Sequence, residues 1–145
     1  FFMIQFEDIK AQWADDSRID NDLLDNESTK IPQLHSKYLN YLSDVRCLKI
    51  RKEQEYKLLI REKFEYYTGK ADESVYKEQP FDLKVLKQDV PMYIESDKEI
   101  QNVVTRINYY EEMIFLLEKI IQQLNNRTFQ IKNSIEWQKF MQGSI

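Results

Sequence analysis

Positive charge and aromatic rings are combined within one short stretch of the chain. The six side chains concerned are Lys57, Arg61, Lys63, Tyr66, Tyr67 and Lys70. Cations can contact phosphates, and aromatic faces can stack on unpaired bases, so these six are candidate contacts for single-stranded nucleic acid. An ordinary structural interpretation also exists, because cations near a helix C-terminus complement the helix dipole and tyrosines often cover the edge of a core.

The basic residues are concentrated in the middle of an acidic chain. The net charge of the 145 residues is −4, divided as −5 over residues 1–45, +4 over residues 46–70 and −3 over residues 71–145. An acidic protein with one basic segment can bind nucleic acid through that segment while the rest limits non-specific attachment. The alternative is that the basic segment is simply the solvated face of a helix.

The residue types needed for most catalytic and metal sites are scarce. His35 is the only histidine and Cys47 the only cysteine, so the common zinc motifs and an internal disulfide are excluded, and the lone cysteine fits a reducing compartment. No glycine-rich phosphate loop is present, and no motif accompanies His35. We therefore predict a protein that is not an enzyme, with no catalytic residues, no cofactor and no metal. No apolar run approaches the roughly 20 residues of a membrane span, so we expect no membrane partner.

The first half of the chain predicts two helices. Phe6, Ile9 and Trp13 have the spacing of a short amphipathic helix over residues 5–14, followed by an acidic turn. Pro32 suits a first helical turn. From there the apolar pattern predicts a helix of about 35 residues, about 50 Å long, which ends at Gly69. A small domain does not need so long a helix, so it indicates a projecting arm or an oligomer.

The segment that follows predicts irregular structure and then a helix start. Residues 70–80 read as a loop. Residues 81–90 predict either a short helix or an extended piece with Val85 and Leu86 packed down, interrupted by Pro91. Ser96 and Glu99 have the spacing of a capping box, which predicts that a helix begins at Ser96.

The last third of the chain predicts a coiled-coil-like seam. Its apolar residues alternate by three and four, after which Asn125-Asn126 predicts an interruption and a second short helix that ends at Gly143. A seam this wide suits a bundle or a multi-chain ring, and the alternative is packing on the long helix of the same chain. The candidate oligomerisation residues are Ile100, Val103, Ile107, Tyr110, Ile114, Leu117, Ile121, Leu124, Phe129 and Ile135.

Four segments, in order along the chain, together resemble one known family. They are Phe-Glu-Asp-Ile at residues 6–9, Leu-His-Ser-Lys-Tyr-Leu-Asn at 34–40, Arg-x-Lys-Phe-Glu-Tyr-Tyr-Thr-Gly at 61–69, and Arg-x-Phe-x-Ile-Lys at 127–132 with Phe-x-x-Gly at 140–143. These are similar to segments of the UvsY-type recombination mediators of T4-like phages. The chain departs from the family pattern at two places. His35 and Tyr38 replace the family's Tyr and Trp, and Glu62 lies between the cations Arg61 and Lys63. The resemblance at residues 6–9 also supports Met3 as the natural start, with Phe1-Phe2 preceding it.

The resemblance implies a non-enzymatic mediator in the cytoplasm of an infected bacterial host. Such a protein binds single-stranded DNA and helps a RecA-type phage recombinase displace the phage single-strand-binding protein. By the same resemblance Arg61 and Lys63 contact phosphates, and the C-terminal helices assemble a hexameric or heptameric ring.

The expected fold is all-α, with a long projecting helix plus C-terminal coiled-coil-like helices that assemble a homo-oligomeric ring. We expect residues 1–95 to form a DNA-binding region and residues 96–145 an oligomerisation region, within one integrated domain. The competing hypothesis is a coiled-coil scaffold protein that bridges partners and does not bind DNA.

Overall fold

The structure, a computed structural model, describes residues 4–143, and every regular element in that range is helical. Met3 and the Phe1-Phe2 pair lie outside the described residues. The elements are α1 (Phe6–Asp16), α2 (Leu24–Tyr67), α3 (Glu73–Glu78), a 3₁₀ turn (Lys87–Asp89), α4 (Val90–Ser96) and α5 (Lys98–Met141). The prediction of an all-α fold is confirmed. Among the helices of residues 4–143, none combines the length and the apolar composition that a membrane span requires.

The long helix α2 begins earlier than Pro32 predicts. It starts at Leu24 and spans 44 residues, with Pro32 inside it, so the prediction that Pro32 marks the first turn was wrong. The side chain of Asp20 accepts a hydrogen bond from the Asp22 backbone N–H at 2.9 Å, and Leu24 is buried. This turn and the buried leucine start the helix, and a long helix tolerates the one backbone hydrogen bond that Pro32 removes.

The end of α2 is set by Gly69, as predicted. Its φ angle of +78° is one that glycine adopts without steric cost. The Lys70 backbone N–H donates to the Glu65 carbonyl at 2.8 Å, and the Gly69 N–H donates to the Tyr66 carbonyl at 3.3 Å. This pair of bonds is the Schellman arrangement, which satisfies the last carbonyls of the helix.

Three predictions between α2 and α5 needed correction. Residues 73–78, expected to be loop, form α3, which Tyr76 ties to α2 by stacking on Tyr66 and donating its hydroxyl to the Tyr66 carbonyl at 2.7 Å. Of the range 81–90, residues 81–86 contain no helix, whereas Lys87–Asp89 form a 3₁₀ turn and Val90 begins α4. Val85 packs on a core cluster as the extended alternative predicted, but the prediction was wrong for Leu86, which is 63% exposed. Pro91 lies in the first turn of α4, where its missing N–H costs little, so it begins a helix rather than interrupting one.

Helix α5 is capped one residue later than predicted. Ser96 is the last residue of α4, and the Asp97 carboxylate instead accepts hydrogen bonds from the backbone N–H groups of Glu99 (2.9 Å) and Ile100 (3.4 Å). Asp97 is as good an N-cap as serine, and its charge also favours the positive helix end.

The predicted break at Asn125-Asn126 was wrong, because α5 is continuous from Lys98 to Met141. Asparagine costs a helix only about half a kcal/mol, whereas Leu124 and Ile131 on either side are buried and stabilise the continued helix. Gly143 has a φ of +73° just past the helix end, which confirms the predicted terminator.

The chain divides into two compact units. The first contains the residues up to Arg46 together with those from Glu112 onwards. Its centre is Tyr38, which is fully buried and donates a hydrogen bond to the Asp16 carboxylate at 2.7 Å. Arg127 is also buried there and donates to the Asp16 carbonyl at 2.9 Å. Burial opposes ionisation of Asp16, but the hydrogen bonds from Lys37 and Tyr38 outweigh it and hold its pKa below the ordinary value.

The second unit is Cys47–Glu111. Its core cluster contains Val90 and Ile94 of α4 and Ile100 of α5. Partly buried side chains of α2 and Val85 pack against this cluster: Tyr56, Leu59, Ile60, Tyr67 and Val85. The division into residues 1–95 and 96–145 stays a prediction.

The apolar seam of α5 lies largely within the interior of the single chain. Five of its ten predicted residues are buried and three are partly buried. Phe129, at 67% exposed, and Ile135, at 36%, remain on the surface. This burial favours the alternative that most of the seam packs against the chain's own helices. The role of these ten residues in oligomerisation stays a prediction, with Phe129 and Ile135 best placed for it.

Candidate nucleic-acid interface

Arg61 and Lys63 point in nearly opposite directions from α2. Residues two apart in an α-helix are separated by about 200° around its axis. Arg61 is exposed, whereas Lys63 is only 8% exposed. The basic-x-basic pair therefore does not form one continuous cationic surface.

The ammonium of Lys63 is held by two carboxylates from the start of α5. Its Nζ lies 3.3 Å from Asp97 Oδ2 and 3.4 Å from Glu99 Oε1. Asp97 also caps α5, so Lys63 ties the end of α2 to the beginning of α5. The helical spacing of the sequence already indicates this structural role, although the basic-x-basic motif draws attention to DNA binding instead. Lys63 lies on the same inward-facing stripe of α2 as Tyr56, Ile60 and Tyr67.

The Tyr67 hydroxyl completes this network by donating to Asp97 Oδ2 at 2.6 Å. Burial raises the pKa of Asp97, but the Tyr67 hydrogen bond and the nearby Lys63 charge outweigh it and leave that pKa below its ordinary value. Burial and the Asp97 carboxylate together raise the pKa of Tyr67. The network is thus an ionised, hydrogen-bonded connection between the two helices.

The Tyr66 and Tyr67 rings pack against other aromatic rings of the same unit. Tyr66 stacks on Tyr76, with ring centroids 5.4 Å apart and planes inclined by 16°. Tyr67 contacts Phe81 edge-on at 5.1 Å and Tyr93 at 5.6 Å. Both tyrosines therefore belong to an aromatic cluster of partly buried rings, which fits the structural interpretation of the sequence, that tyrosines here cover the edge of a core. The cluster consists of Tyr66, Tyr67, Tyr76, Phe81 and Tyr93. Base stacking by these two residues stays a prediction, and it would compete with their contacts to the other rings of the cluster.

The remaining predicted contacts are on the surface. Lys57, Arg61 and Lys70 are exposed, and within residues 4–143 none of them lies within ion-pair distance of a carboxylate. Lys57 and Arg61 are four residues apart, so they lie on the same solvent-facing side of α2, which we call its open face. Phe64 follows three residues after Arg61 on that face and is 38% exposed. Phe64 was not among the predicted contacts, although its spacing from Arg61 was the available signal.

A separate cleft of this unit carries the opposite charge. Its lining includes Glu62, Lys63, Glu65, Asp72, Glu78 and Glu99. Five carboxylates against one paired ammonium make the cleft unfavourable for a phosphate backbone. Glu62 belongs to this acidic side, about 100° around the helix from Arg61. No cluster of three or more potential metal-ligating side chains is found within residues 4–143.

Comparison with known proteins places these features in a family. Residues 12–144 match the family described as recombination, repair and ssDNA binding protein UvsY. The recombination protein UvsY of Enterobacteria phage T4 is 23% identical over 140 residues, which are 97% of this chain and 99% of the T4 protein. Two crystal structures of the bacteriophage T4 recombination mediator protein UvsY align with TM-scores of 0.80 and 0.82, at 21% and 23% identity. They cover 95% of this chain and 99% and 98% of the T4 chains, which shows the same all-α fold.

Proposed function

This chain belongs to the UvsY family of recombination, repair and single-stranded-DNA-binding proteins, and we propose that it binds single-stranded DNA through the open face of α2. The observation that carries the proposal is the pair of exposed cations Lys57 and Arg61 on one face, with Lys70 beyond the helix end. Each cation is available to displace a counterion from a phosphate, which is the main source of salt-dependent affinity. Lys63 supports the site indirectly by fixing the end of α2.

The proposed role is that of a recombination mediator without catalytic activity of its own. In this role the protein loads a RecA-type phage recombinase onto DNA covered by the phage single-strand-binding protein, within the infected host's cytoplasm. Support comes from the family membership and from the similarity to the T4 protein, which is described as a recombination mediator. Loading is measured as the rate at which the recombinase forms filaments on DNA that already carries the single-strand-binding protein.

Assembly into a hexameric or heptameric ring would compensate for the small number of cations in each copy. The C-terminal part of α5 supports self-association, because it exposes several large apolar side chains: Phe129, Ile135, Trp137, Phe140 and Met141. Repeating a weak site around a ring strengthens binding by avidity, without any new contact within a copy.

Fluorescence anisotropy with labelled single-stranded and duplex DNA, titrated with salt, tests the DNA site. We expect a preference for the single strand. Removing one cation that neutralises a phosphate should lower the slope of log affinity against log salt by about 0.7 for each bound copy. Arg61→Ala and Lys57→Ala should each weaken binding and reduce that slope. Arg46→Ala is the matched control, since Arg46 lies on the same helix but is paired with Glu118 at 2.9 Å.

The second candidate is a scaffold that bridges proteins and does not bind DNA. The same exposed apolar residues at the end of α5 favour it, since such residues often mark protein contacts. A well-assembled protein with no affinity for single-stranded DNA at low salt would support the scaffold and contradict the DNA-binding proposal.

A further inference from the structure

The open face of α2 carries one aromatic ring, that of Phe64, which does not pack with the other aromatic rings of the described residues. Residues 46–70 contain four aromatic side chains. Tyr56 packs on the Val90 cluster, and the rings of Tyr66 and Tyr67 contact other rings of the aromatic cluster. Phe64 differs, because it is 38% exposed and its ring contacts no other aromatic ring within the described part of the chain.

Phe64 is surrounded by the cations of the proposed DNA site. It lies three residues after Arg61 and seven after Lys57, so successive members of this row are about one helical turn apart. Lys70, beyond the helix end, places its Nζ over the Phe64 ring, 5.8 Å from the ring centroid. A ring with cations nearby has the composition of a single-strand contact, in which bases stack while phosphates are neutralised.

We propose that Phe64 is the base-stacking residue of this surface, with Arg61, Lys57 and Lys70 holding the phosphates on either side. The inference rests on the proposed single-stranded DNA binding and adds a base contact to it. Its occupant is an unpaired base of any sequence, because every base has a π-face that can stack on phenylalanine. A duplex keeps its bases stacked on each other and cannot offer one to the ring, which gives this residue a part in the preference for single strands.

An abasic oligonucleotide separates the base contact from the phosphate contacts. It has the same phosphates as the normal oligonucleotide but nothing to stack. We expect the intact protein to bind the normal strand more tightly than the abasic strand, by roughly 5- to 150-fold for each stacked base. Phe64→Leu should abolish most of this ratio while leaving the salt slope unchanged, and Phe64→Trp should restore it. Leu58→Ala is the matched control, because Leu58 is 49% exposed on the same helix and is not aromatic.

Each outcome of this experiment has a distinct meaning. If the unmodified protein binds neither strand, the proposed function itself fails. If it binds both strands equally, or if Phe64→Leu keeps the ratio, DNA binding stands and the stacking role of Phe64 is refuted. The assembled mass of each variant is measured in parallel. A changed mass for Phe64→Leu would show that Phe64 contacts another copy of the chain, which also refutes the proposal.

Discussion

Replacing Lys63 with methionine removes the ammonium that joins α2 to α5 but keeps the aliphatic part of the side chain. At 3.3 Å, the attraction between the Lys63 ammonium and the Asp97 carboxylate is about 5 kcal/mol at an effective dielectric of about 20. Desolvation of both groups offsets much of this attraction. Truncating one partner of a buried pair nevertheless costs about 3–5 kcal/mol, because the other charge stays buried.

We expect Lys63→Met to lower the free energy of unfolding by about 3 kcal/mol, the lower end of the range for breaking a buried pair. Asp97 keeps the hydrogen bond from the Tyr67 hydroxyl and those from two backbone N–H groups. Glu99 is 55% exposed, so its pairing with Lys63 adds less than about 1 kcal/mol. With a urea m-value of about 2 kcal/mol/M, the unfolding midpoint should fall by about 1.5 M.

The assay pairs urea unfolding, followed by circular dichroism, with the salt dependence of single-stranded DNA binding. Arg61→Ala should have the opposite effects. Because Arg61 is exposed, its removal should change the free energy of unfolding by less than about 0.5 kcal/mol. It should nevertheless lower the slope of log affinity against log salt by about 0.7 per bound copy. Lys63→Met should leave the slope unchanged under conditions where it is folded. If Lys63→Met instead keeps its stability and reduces the salt slope, Lys63 contacts a phosphate and the structural assignment is wrong.

Three further predictions concern single side chains. Asp97→Asn should make stability less sensitive to acid. The pKa of Asp97 is depressed, so its stabilising effect is present at neutral pH and disappears as pH falls through that pKa. The difference in urea midpoint between wild type and Asp97→Asn should therefore shrink between pH 7 and pH 3. Gly69→Ala should lower the melting temperature by a few degrees, because alanine at a φ of +78° costs about 1 kcal/mol even though its Cβ meets open space. Tyr38→Phe should destabilise the protein by about 1 kcal/mol in urea by removing the hydrogen bond to Asp16, and a midpoint equal to wild type would contradict that bond.

The features predicted correctly from sequence are those determined by neighbouring residues. Gly69 and Gly143 end helices because of their own backbone freedom, and Phe6, Ile9 and Trp13 show helical spacing within one element. The errors at Pro32 and Asn125-Asn126 share a different cause. In each case a local cost of a few kcal/mol or less suggests a boundary, whereas burial of residues on both sides of it keeps the helix continuous. The amount of that burial depends on helices distant in sequence, so a local pattern does not contain it.

The candidate site illustrates a more general difficulty with motifs on helices. Arg61 and Lys63 stand together in the sequence and suggest one function, but a helix separates their directions by about 200°. One cation therefore faces solvent and is available to a phosphate, while the other holds Asp97 at the start of α5. If Arg61 contacts a phosphate as proposed, substituting both residues at once weakens DNA binding through two mechanisms, removal of charge and a loosened helix end. Single substitutions, with stability and salt slope measured on each, separate the two mechanisms.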